Sequence, residues 1–261
     1  MQIEFWKYQG TGNDFVLIDN RNNIISPDNK ELVEKLCHRR FGIGADGLML
    51  LENADGYDFR MRYFNSDGGE ASMCGNGGRC IVAFAYHLGI IKDKTVFIAV
   101  DGEHEALVED KGSYIQVSLK MIDVSGIEHE DQHYYMDTGS PHYVEFIESH
   151  ENFDTYSKGK AIRYNDRFAK EGTNVNFVSF NDSGIQVSTY ERGVENETYS
   201  CGTGVVASAI SSGFEKGKEQ FNIQTKGGLL EVRFEKIDAQ NIKNVWLIGP
   251  ATKVFSGTIN V

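Results

Sequence analysis

Proline, cysteine and long apolar runs are scarce in this chain. Its 261 residues include three prolines, which leaves no proline-rich linker, and four cysteines. So few cysteines cannot form a disulfide scaffold for a chain of this length, and they predict a cytoplasmic protein with reduced thiols. No stretch approaches the roughly 18 consecutive apolar residues of a spanning helix, and the first residues lack the pattern of a signal peptide. We therefore expect no membrane span and no signal peptide.

Positive charge is also in deficit. Lysine and arginine number 26 against 38 aspartates and glutamates, which gives a formal net charge of -12 at pH 7. A surface of this sign repels phosphate backbones, which argues against a nucleic-acid partner. With 40% apolar and 25% charged residues the composition is that of a globular protein. The length suffices for one large domain or two of ordinary size.

The chain contains an internal repeat. Three blocks recur in the same order: residues 10–16 with 172–178, 63–77 with 190–204, and 95–102 with 220–228. In the middle pair Cys74 aligns with Cys201, Tyr63 with Tyr190 and Glu70 with Glu197, and each cysteine is followed by Gly-X-Gly. Three matches in one order indicate a duplicated half. The duplication predicts two similar domains related by a pseudo-twofold axis, with the equivalent cysteines facing each other.

Strand-like segments dominate the sequence. Apolar alternation or apolar runs predict strands over residues 15–19, 57–64, 114–119, 185–190 and 230–234. Each Cys-Gly-X-Gly opens a helical stretch of small and apolar residues, which we expect to be buried. The predicted fold is therefore α/β (α+β), with two pseudo-symmetric domains from the duplication, each a strand-rich barrel-like sheet around a central helix.

The predicted domain boundary lies near residue 118. Residues 1–118 with 250–261 form the half that carries Cys74, because the last strand is expected to return to the first half. Residues 119–249 form the half that carries Cys201. Cys37 lies in a segment with the apolar spacing of an amphipathic helix, so we expect it to fill the core.

The two Cys-Gly-X-Gly motifs point to acid–base chemistry. Glycines at a helix start let the backbone approach a ligand and expose N–H donors, which bind a carboxylate or phosphate. The same environment lowers a thiol pKa from its reference value of about 8.5. Inverting a stereocentre requires a thiolate to remove a proton on one face and a thiol to return one on the other. Cys74 and Cys201 together predict an amino-acid epimerase that needs no pyridoxal phosphate or other cofactor.

His142 and Glu191 are candidates for tuning the thiols. A histidine near a thiol polarises it, and a neighbouring carboxylate affects how many protons the site holds. His142 follows a proline in Gly139-Ser-Pro-His, and an equally weighted interpretation makes it a hydrogen-bonded loop residue. The segment 128–133 resembles a metal-binding sequence only superficially, because its polar setting is typical of a solvated loop. We predict no metal site.

Several motifs of this chain together resemble diaminopimelate epimerase over essentially its whole length. They are residues 8–15, 64–70, 74–80, 138–142 and 190–193, with Asn174 and Cys201-Gly202-Thr203-Gly204. The resemblance implies interconversion of LL- and meso-2,6-diaminopimelate, a step toward lysine and peptidoglycan precursors. It also implies two pseudo-symmetric domains with the site in the cleft between them, and a homodimer.

The resemblance assigns roles to particular positions. Cys74 and Cys201 would be proton donor and acceptor, with His142 and Glu191 modulating their pKa values. The reacting α-carboxylate would be held by Gly75, Asn76, Gly202 and Thr203. The rest of the substrate would be recognised by Asn13, Asn65, Asn174, Glu191 and Arg192, whose guanidinium can bind a carboxylate in bidentate fashion. Gly47 stands where many members have glutamine and Ser140 where many have asparagine, so no contact is carried over for these two.

Two alternatives remain open. A proline or hydroxyproline racemase shares the two-thiol logic but binds a smaller substrate. The combination of Asn13, Asn65, Asn174 and Arg192 favours a substrate with a second charged end. A thiol redox or metal-binding protein is the other alternative, although the chain has no Cys-X-X-Cys and no zinc spacing around its cysteines.

Overall fold

A computed structural model of the chain describes residues 2–261. The chain divides into two compact units, Met1–Leu119 with Gly249–Val261, and Lys120–Ile248. The earlier elements are β1 (Gln2–Gly10), β2 (Asn13–Asp19), α1 (Lys30–Cys37), β3 (Gly47–Glu52), β4 (Arg60–Asn65), β5 (Glu70–Ala71), α2 (Gly75–His87), β6 (Lys94–Ala99), β7 (Gly102–Asp110) and β8 (Ile115–Lys120). The later ones are β9 (Val124–Ser125), β10 (Glu128–Glu130), β11 (His133–Asp137), β12 (Pro141–Phe146), α3 (Thr155–Arg163), β13 (Asn174–Asn181), β14 (Gly184–Glu191), β15 (Asn196–Glu197), α4 (Gly202–Lys216), β16 (Gln220–Thr225), β17 (Gly228–Lys236) and β18 (Asn241–Asn260).

The first unit is a sheet wrapped on a buried helix. β1 and β2 form an antiparallel hairpin, β2 pairs in parallel with β3, and β3 pairs antiparallel with β4. β4 pairs antiparallel with β5 and in parallel with β6. β6 then pairs antiparallel with β7, and β7 antiparallel with β8. α2 is buried from Gly75 to Ala85 and packs against β1, β2, β3 and β7. The chain end also joins this unit, because β18 pairs with β1 over its later residues.

The second unit repeats this order of pairings. β11 and β12 are antiparallel, β12 pairs in parallel with β13, and β13 pairs antiparallel with β14. β14 pairs antiparallel with β15 and in parallel with β16. β16 then pairs antiparallel with β17, and β17 antiparallel with β18. The small and apolar side chains of α4 let strands pack closely around it, and the helix contacts β11, β12, β13, β14, β16 and β17. The predicted α/β (α+β) fold with two similar halves is confirmed.

Local predictions agree with the structure at most places. Cys37 is buried at the end of α1, so the prediction that it fills the core is confirmed. The strand predicted from residue 57 begins at Arg60, because Gly56 adopts a left-handed turn conformation. The prediction of a loop at residues 128–133 is wrong: β10 and β11 form a hairpin there. Across residues 2–261, the structure contains no helix whose length and apolar character would let it span a membrane.

Candidate active site

The two repeated cysteines occupy the same position in their helices. Cys74 is the N-cap of α2, with an extended backbone (φ -103, ψ 139), and Cys201 is the N-cap of α4 (φ -112, ψ 111). The backbone N–H groups of the next residues have no partner within the helix and carry the positive end of its dipole. Gly77 donates its backbone N–H to Cys74 Sγ at 3.4 Å. Each sulfur therefore lies at a helix end that favours negative charge.

In the first unit, Asn13 holds a fixed orientation beside Cys74. Its Nδ2 donates to Asp46 Oδ2 at 2.6 Å, and a carboxylate can only accept, so Oδ1 points the other way. Oδ1 accepts from the Cys74 thiol at 3.8 Å and from Asn76 Nδ2 at 3.5 Å. Arg39 holds Asp46 in turn through a 2.6 Å ion pair. A charged network thus determines which atom of Asn13 faces the sulfur.

Two other predicted residues of this unit lie at the same helix start, and a third, Asn65, lies on β4. Gly75 and Asn76 are buried in the first turn of α2. Asn65 ends β4 with an exposed side chain and pairs with Gly47 across the β3–β4 ladder. A Cβ atom at Gly47 would lie 2.5 Å from Tyr63 Cε2. The Phe64 carbonyl oxygen would lie 2.6 Å from the same Cβ atom, so a larger residue is accommodated here only if both Tyr63 and the β4 backbone move.

In the second unit, a chain of hydrogen bonds leads to Cys201. Asn176 Nδ2 donates to the carbonyl oxygen of Tyr143 at 3.0 Å, which fixes the orientation of its amide. The same Nδ2 lies 3.0 Å from His142 Nδ1, so Nδ1 accepts and Nε2 carries the proton. Nε2 donates to Thr203 Oγ1 at 2.9 Å. The Thr203 hydroxyl proton is then available to Cys201 Sγ, 3.5 Å away.

His142 is a buried strand residue of β12 rather than a loop residue. Burial lowers its pKa to about 3, and the positive charge of Arg192 acts in the same direction. Its imidazole is therefore neutral at working pH. It contacts Cys201 through the Thr203 hydroxyl, since Thr203 Oγ1 bonds to both side chains. His142 orients a hydroxyl group toward the thiol and supplies no positive charge.

We expect His142 to make the protein less stable in mild acid. Its folded pKa of about 3 lies below the ordinary value of 6.5, so between these values the unfolded chain binds a proton that the folded chain does not. The free energy of unfolding therefore falls as pH falls. Between pH 6.5 and 5 the loss from this residue should be about 2 kcal/mol. Urea unfolding of the wild type and of His142→Gln at both pH values measures it, and equal pH dependence in the two proteins would contradict the assignment.

The remaining predicted residues surround the end of β14. Asn174 is 4% exposed; its Nδ2 donates to Ser140 Oγ and to the Pro141 carbonyl, and its Oδ1 accepts from the backbone N–H of Arg192. The Arg192 side chain is exposed. Glu191 precedes it at the end of β14, half-buried. Asn174 therefore binds the turn before His142 to the backbone of Arg192.

Two residues of the site were not predicted. Asp46 orients Asn13, and Asn176 sets the tautomer of His142. Asn176 stands two residues after Asn174, so both asparagines lie on the same face of a mostly buried strand. This repetition of a buried polar residue is the sequence feature from which Asn176 could have been predicted. Gly202 and Thr203 occupy the first turn of α4 as predicted. Ser140 lies in the network, 3.1 Å from His142 Nε2.

Other features do not add a second centre. In the described part of the chain, no group of three or more histidine, cysteine, aspartate or glutamate side chains is placed to hold a metal ion. An open depression of about 580 Å³ is lined by Asp131, Gln132, His133, Tyr143 and Glu145. None of these is a predicted site residue.

Solved structures share the fold of this chain at low sequence identity. A phenazine biosynthesis protein of the PhzF family from Bacillus anthracis matches with a TM-score of 0.78 and 12% identity, covering 100% of both chains. A hydroxyproline epimerase from Agrobacterium vitis, solved with trans-4-hydroxy-L-proline, matches with a TM-score of 0.68 and 12% identity, covering 99% of this chain and 92% of its own. These similarities establish the fold alone.

Sequence relatives are much closer. A diaminopimelate epimerase of Flavobacterium psychrophilum is 49% identical, covering 98% of this chain and 100% of its own length. Another from Aquifex aeolicus is 41% identical, covering 99% of this chain and 98% of its own. The model of the diaminopimelate epimerase family matches residues 5–121 and 134–254, which include both cysteine-capped helices. By relatives that match it from end to end and by a family model that spans both units, the chain belongs to the diaminopimelate epimerase family.

Proposed function

We propose that this chain interconverts LL- and meso-2,6-diaminopimelate with Cys74 and Cys201 as paired acid and base. It is an isomerase by family, and its substrate is a small molecule. One observation carries the residue assignment: both halves of the duplication place a cysteine at the N-cap of their buried helix. The N-cap position lowers the pKa of a thiol. A cysteine that served only to fill space would have no reason to occupy that position in both halves.

The proposed reaction is a proton exchange at one carbon. A cysteine thiolate takes the α-proton and becomes a thiol, and the electron pair left on the α-carbon is delocalised into the substrate carboxylate. The N–H groups at the two helix starts, in Gly75-Asn76 and Gly202-Thr203, would stabilise that charge. The second thiol then gives its proton to the opposite face and becomes the thiolate. The cysteines exchange roles when the direction reverses, and no cofactor takes part.

The neighbours of the two sulfurs support different starting states. The Cys74 thiol has the amide oxygen of Asn13 as an acceptor, which favours the protonated form. Cys201 has the Thr203 hydroxyl as a neighbour, and a donated hydroxyl proton favours the thiolate. We assign to His142 the orientation of that hydroxyl, and to Glu191 a share in setting the protonation of the thiols.

Recognition of the substrate is assigned to Asn13, Asn65, Asn174, Glu191 and Arg192. Arg192 is the residue best suited to a distal carboxylate, because it is exposed and its guanidinium has N–H donors besides the Nη1 group that donates to the Glu171 carbonyl oxygen. Asn174 would act by holding the Arg192 backbone, to which its Oδ1 is bonded at 2.9 Å. Family membership favours this substrate over proline-type ones, whose enzymes share only the fold, and over a redox or metal-binding role.

Deuterium labelling tests the reaction directly. We expect the purified protein, in deuterated water without pyridoxal phosphate, to convert LL-diaminopimelate to a mixture with the meso form and to place one deuterium at each inverted α-carbon. Mass spectrometry and chiral separation measure both. L-proline and trans-4-hydroxy-L-proline under the same conditions are the control substrates and should stay unlabelled. Labelling of proline but not diaminopimelate would refute the proposed substrate.

Assembly and location belong to the same proposal. We propose a homodimer in the cytoplasm, as the resemblance and the small number of cysteines imply. The proposed halves, residues 1–118 with 250–261 and residues 119–249, carry Cys74 and Cys201 respectively. Sedimentation velocity measures the oligomeric state.

A further inference from the structure

Arg79 is a fully buried cation in the second turn of α2. Its side chain is 0% exposed. Nη1 donates to the Gly75 carbonyl at 3.1 Å, and Nη2 donates to Thr11 Oγ1 at 3.1 Å and to Asn76 Oδ1 at 3.0 Å. All three acceptors are neutral, and within residues 2–261 its Nε has no hydrogen-bond partner. Burying a guanidinium in this way is strongly unfavourable unless a negative charge balances it.

The guanidinium lies toward the start of the helix. Side chains in an α-helix point back toward its N-terminus, and the bond to the Gly75 carbonyl places the charge beside the first turn. Burial lowers the pKa of Arg79, while negative charge on Cys80 and Cys74 would raise it. Arginine nevertheless stays protonated in proteins. Burial raises the pKa of the Cys80 thiol to about 12, so of these two thiols Cys74 is the one that can become an anion at working pH.

The repeat shows that the fold does not need this charge. With Cys74 aligned on Cys201, Arg79 falls on Val206 in α4. Val206 is also fully buried, and α4 forms the same kind of capped, enclosed helix around it. A valine is therefore compatible with this position of the helix. The unfavourable burial of Arg79 then requires a reason that is specific to the first unit.

Nearby carboxylates make a cation useful at this helix end. Asp46 is hydrogen-bonded to Asn13, the residue beside Cys74. Asp101 Oδ1 accepts a hydrogen bond from the backbone N–H of Met73, the residue before Cys74, at 3.4 Å. Both negative charges oppose ionisation of Cys74 and the approach of a substrate carboxylate. Arg39 offsets part of the charge of Asp46. Arg79 approaches from the buried side of the same turn.

We propose that Arg79 is a positioning residue that supplies the permanent positive charge for the anions formed and bound at the start of α2. On the proposed function, these anions are the Cys74 thiolate and the reacting carboxylate. Its hydrogen bonds have a second effect: with Asn76 Oδ1 held by Arg79 and Thr11, Asn76 Nδ2 faces Asn13. Thr11 adopts a left-handed conformation (φ 49) unusual for a threonine, a strain typical of functional turns.

Alkylation of Cys74 tests the charge without requiring turnover. Iodoacetamide reacts with thiolates, and peptide mass spectrometry follows Cys74 and Cys201 separately across a pH series. In Arg79→Met we expect the apparent pKa of Cys74 to rise by about one unit, an effect of the size of one charge several ångströms away. Alkylation of Cys74 at pH 7 should then be about tenfold slower, with Cys201 unchanged. Arg79→Lys, which keeps the charge but not the fork of donors, should stay within about threefold of the wild type.

The controls separate charge from packing. Cys80→Ala changes the equally buried neighbour of Arg79 and should leave the Cys74 rate unaltered. If circular dichroism shows Arg79→Met to be unfolded, Arg79→Gln replaces it as the uncharged variant. An unaltered Cys74 pKa in the uncharged variant, or equal slowing in the lysine and uncharged variants, would overturn the proposal. Because the reaction is with iodoacetamide, the result stands even if the wild type fails to epimerise diaminopimelate.

Discussion

Cys74→Ser and Cys201→Ser should each lower the rate of diaminopimelate epimerisation by about 10²–10⁴, the range that one general acid or base contributes. A serine hydroxyl at the helix start is not ionised at working pH, so it neither takes the α-proton nor gives one readily. Both variants should remain folded, because serine is a favourable N-cap residue and its oxygen can accept the backbone N–H that Cys74 Sγ accepts from Gly77. Chiral chromatography of the product and circular dichroism of each variant measure the two expectations.

The control for thiol chemistry is Cys80→Ala. Cys80 is buried beside the same helix start, and burial keeps its thiol protonated. Its removal should leave epimerisation within about threefold of the wild type, because a thiol that stays protonated cannot act as the base. Robust turnover by both single serine variants would refute the two-base mechanism, and loss in only one of them would reduce it to a single-base mechanism.

The fold was largely predictable because the duplication repeats its information. A strand or helix that is ambiguous in one half is supported by its counterpart in the other, and the Cys-Gly-X-Gly motifs locate both helix starts. The segment 128–133 has no counterpart of this kind. Its β10 residues are all exposed, so the sequence there lacks the alternation by which a strand is recognised.

The orientation of the site residues was not predictable from sequence. His142 and Asn176 meet because β12 and β13 pair in parallel with His142 opposite Asn174, two residues that are 32 positions apart in the sequence. Asn13 and Asp46 meet in the same way across the parallel pair β2 and β3, where Phe15 lies opposite Gly47. Residue type indicates that an asparagine can bind substrate. Only the strand register determines which of its amide atoms forms hydrogen bonds to other protein groups.

The surroundings of residues that differ between the repeats were also not predictable from sequence. Alignment marks Arg79 and Val206 as equivalent, yet an arginine in a helix is ordinarily a surface residue. Its complete burial became visible only with the packing of Thr11 and Asn76 around it. The repeat thus identifies the chemistry common to both halves. Which of the two cysteines begins as the proton donor and which as the acceptor depends instead on contacts particular to each half.

Gly204→Ala should destabilise the protein by about 2–3 kcal/mol and lower its activity, whereas the equivalent Gly77→Ala should not destabilise it. A Cβ atom at Gly204 would lie 2.3 Å from Asn176 Oδ1 and 3.3 Å from His142 Cε1. Asn176 would have to move, and it would lose the hydrogen bond that its Oδ1 accepts from Thr189. The His142 imidazole would then lose the partner that fixes its tautomer, and the Thr203 hydroxyl would no longer be directed at Cys201.

Gly77 is the matched control because it occupies the same position in α2. A Cβ atom there would lie 3.5 Å from Met49 Cε and 3.6 Å from Phe15 Cζ, which are ordinary contacts. Alanine also has a higher helix propensity than glycine, so Gly77→Ala, in the first turn of α2, should be neutral or slightly stabilising. Urea unfolding at pH 7 compares the two variants. Equal stabilities would mean that Asn176 is free to shift, and the hydrogen-bond chain to Cys201 would then not depend on the close approach of α4 to β13.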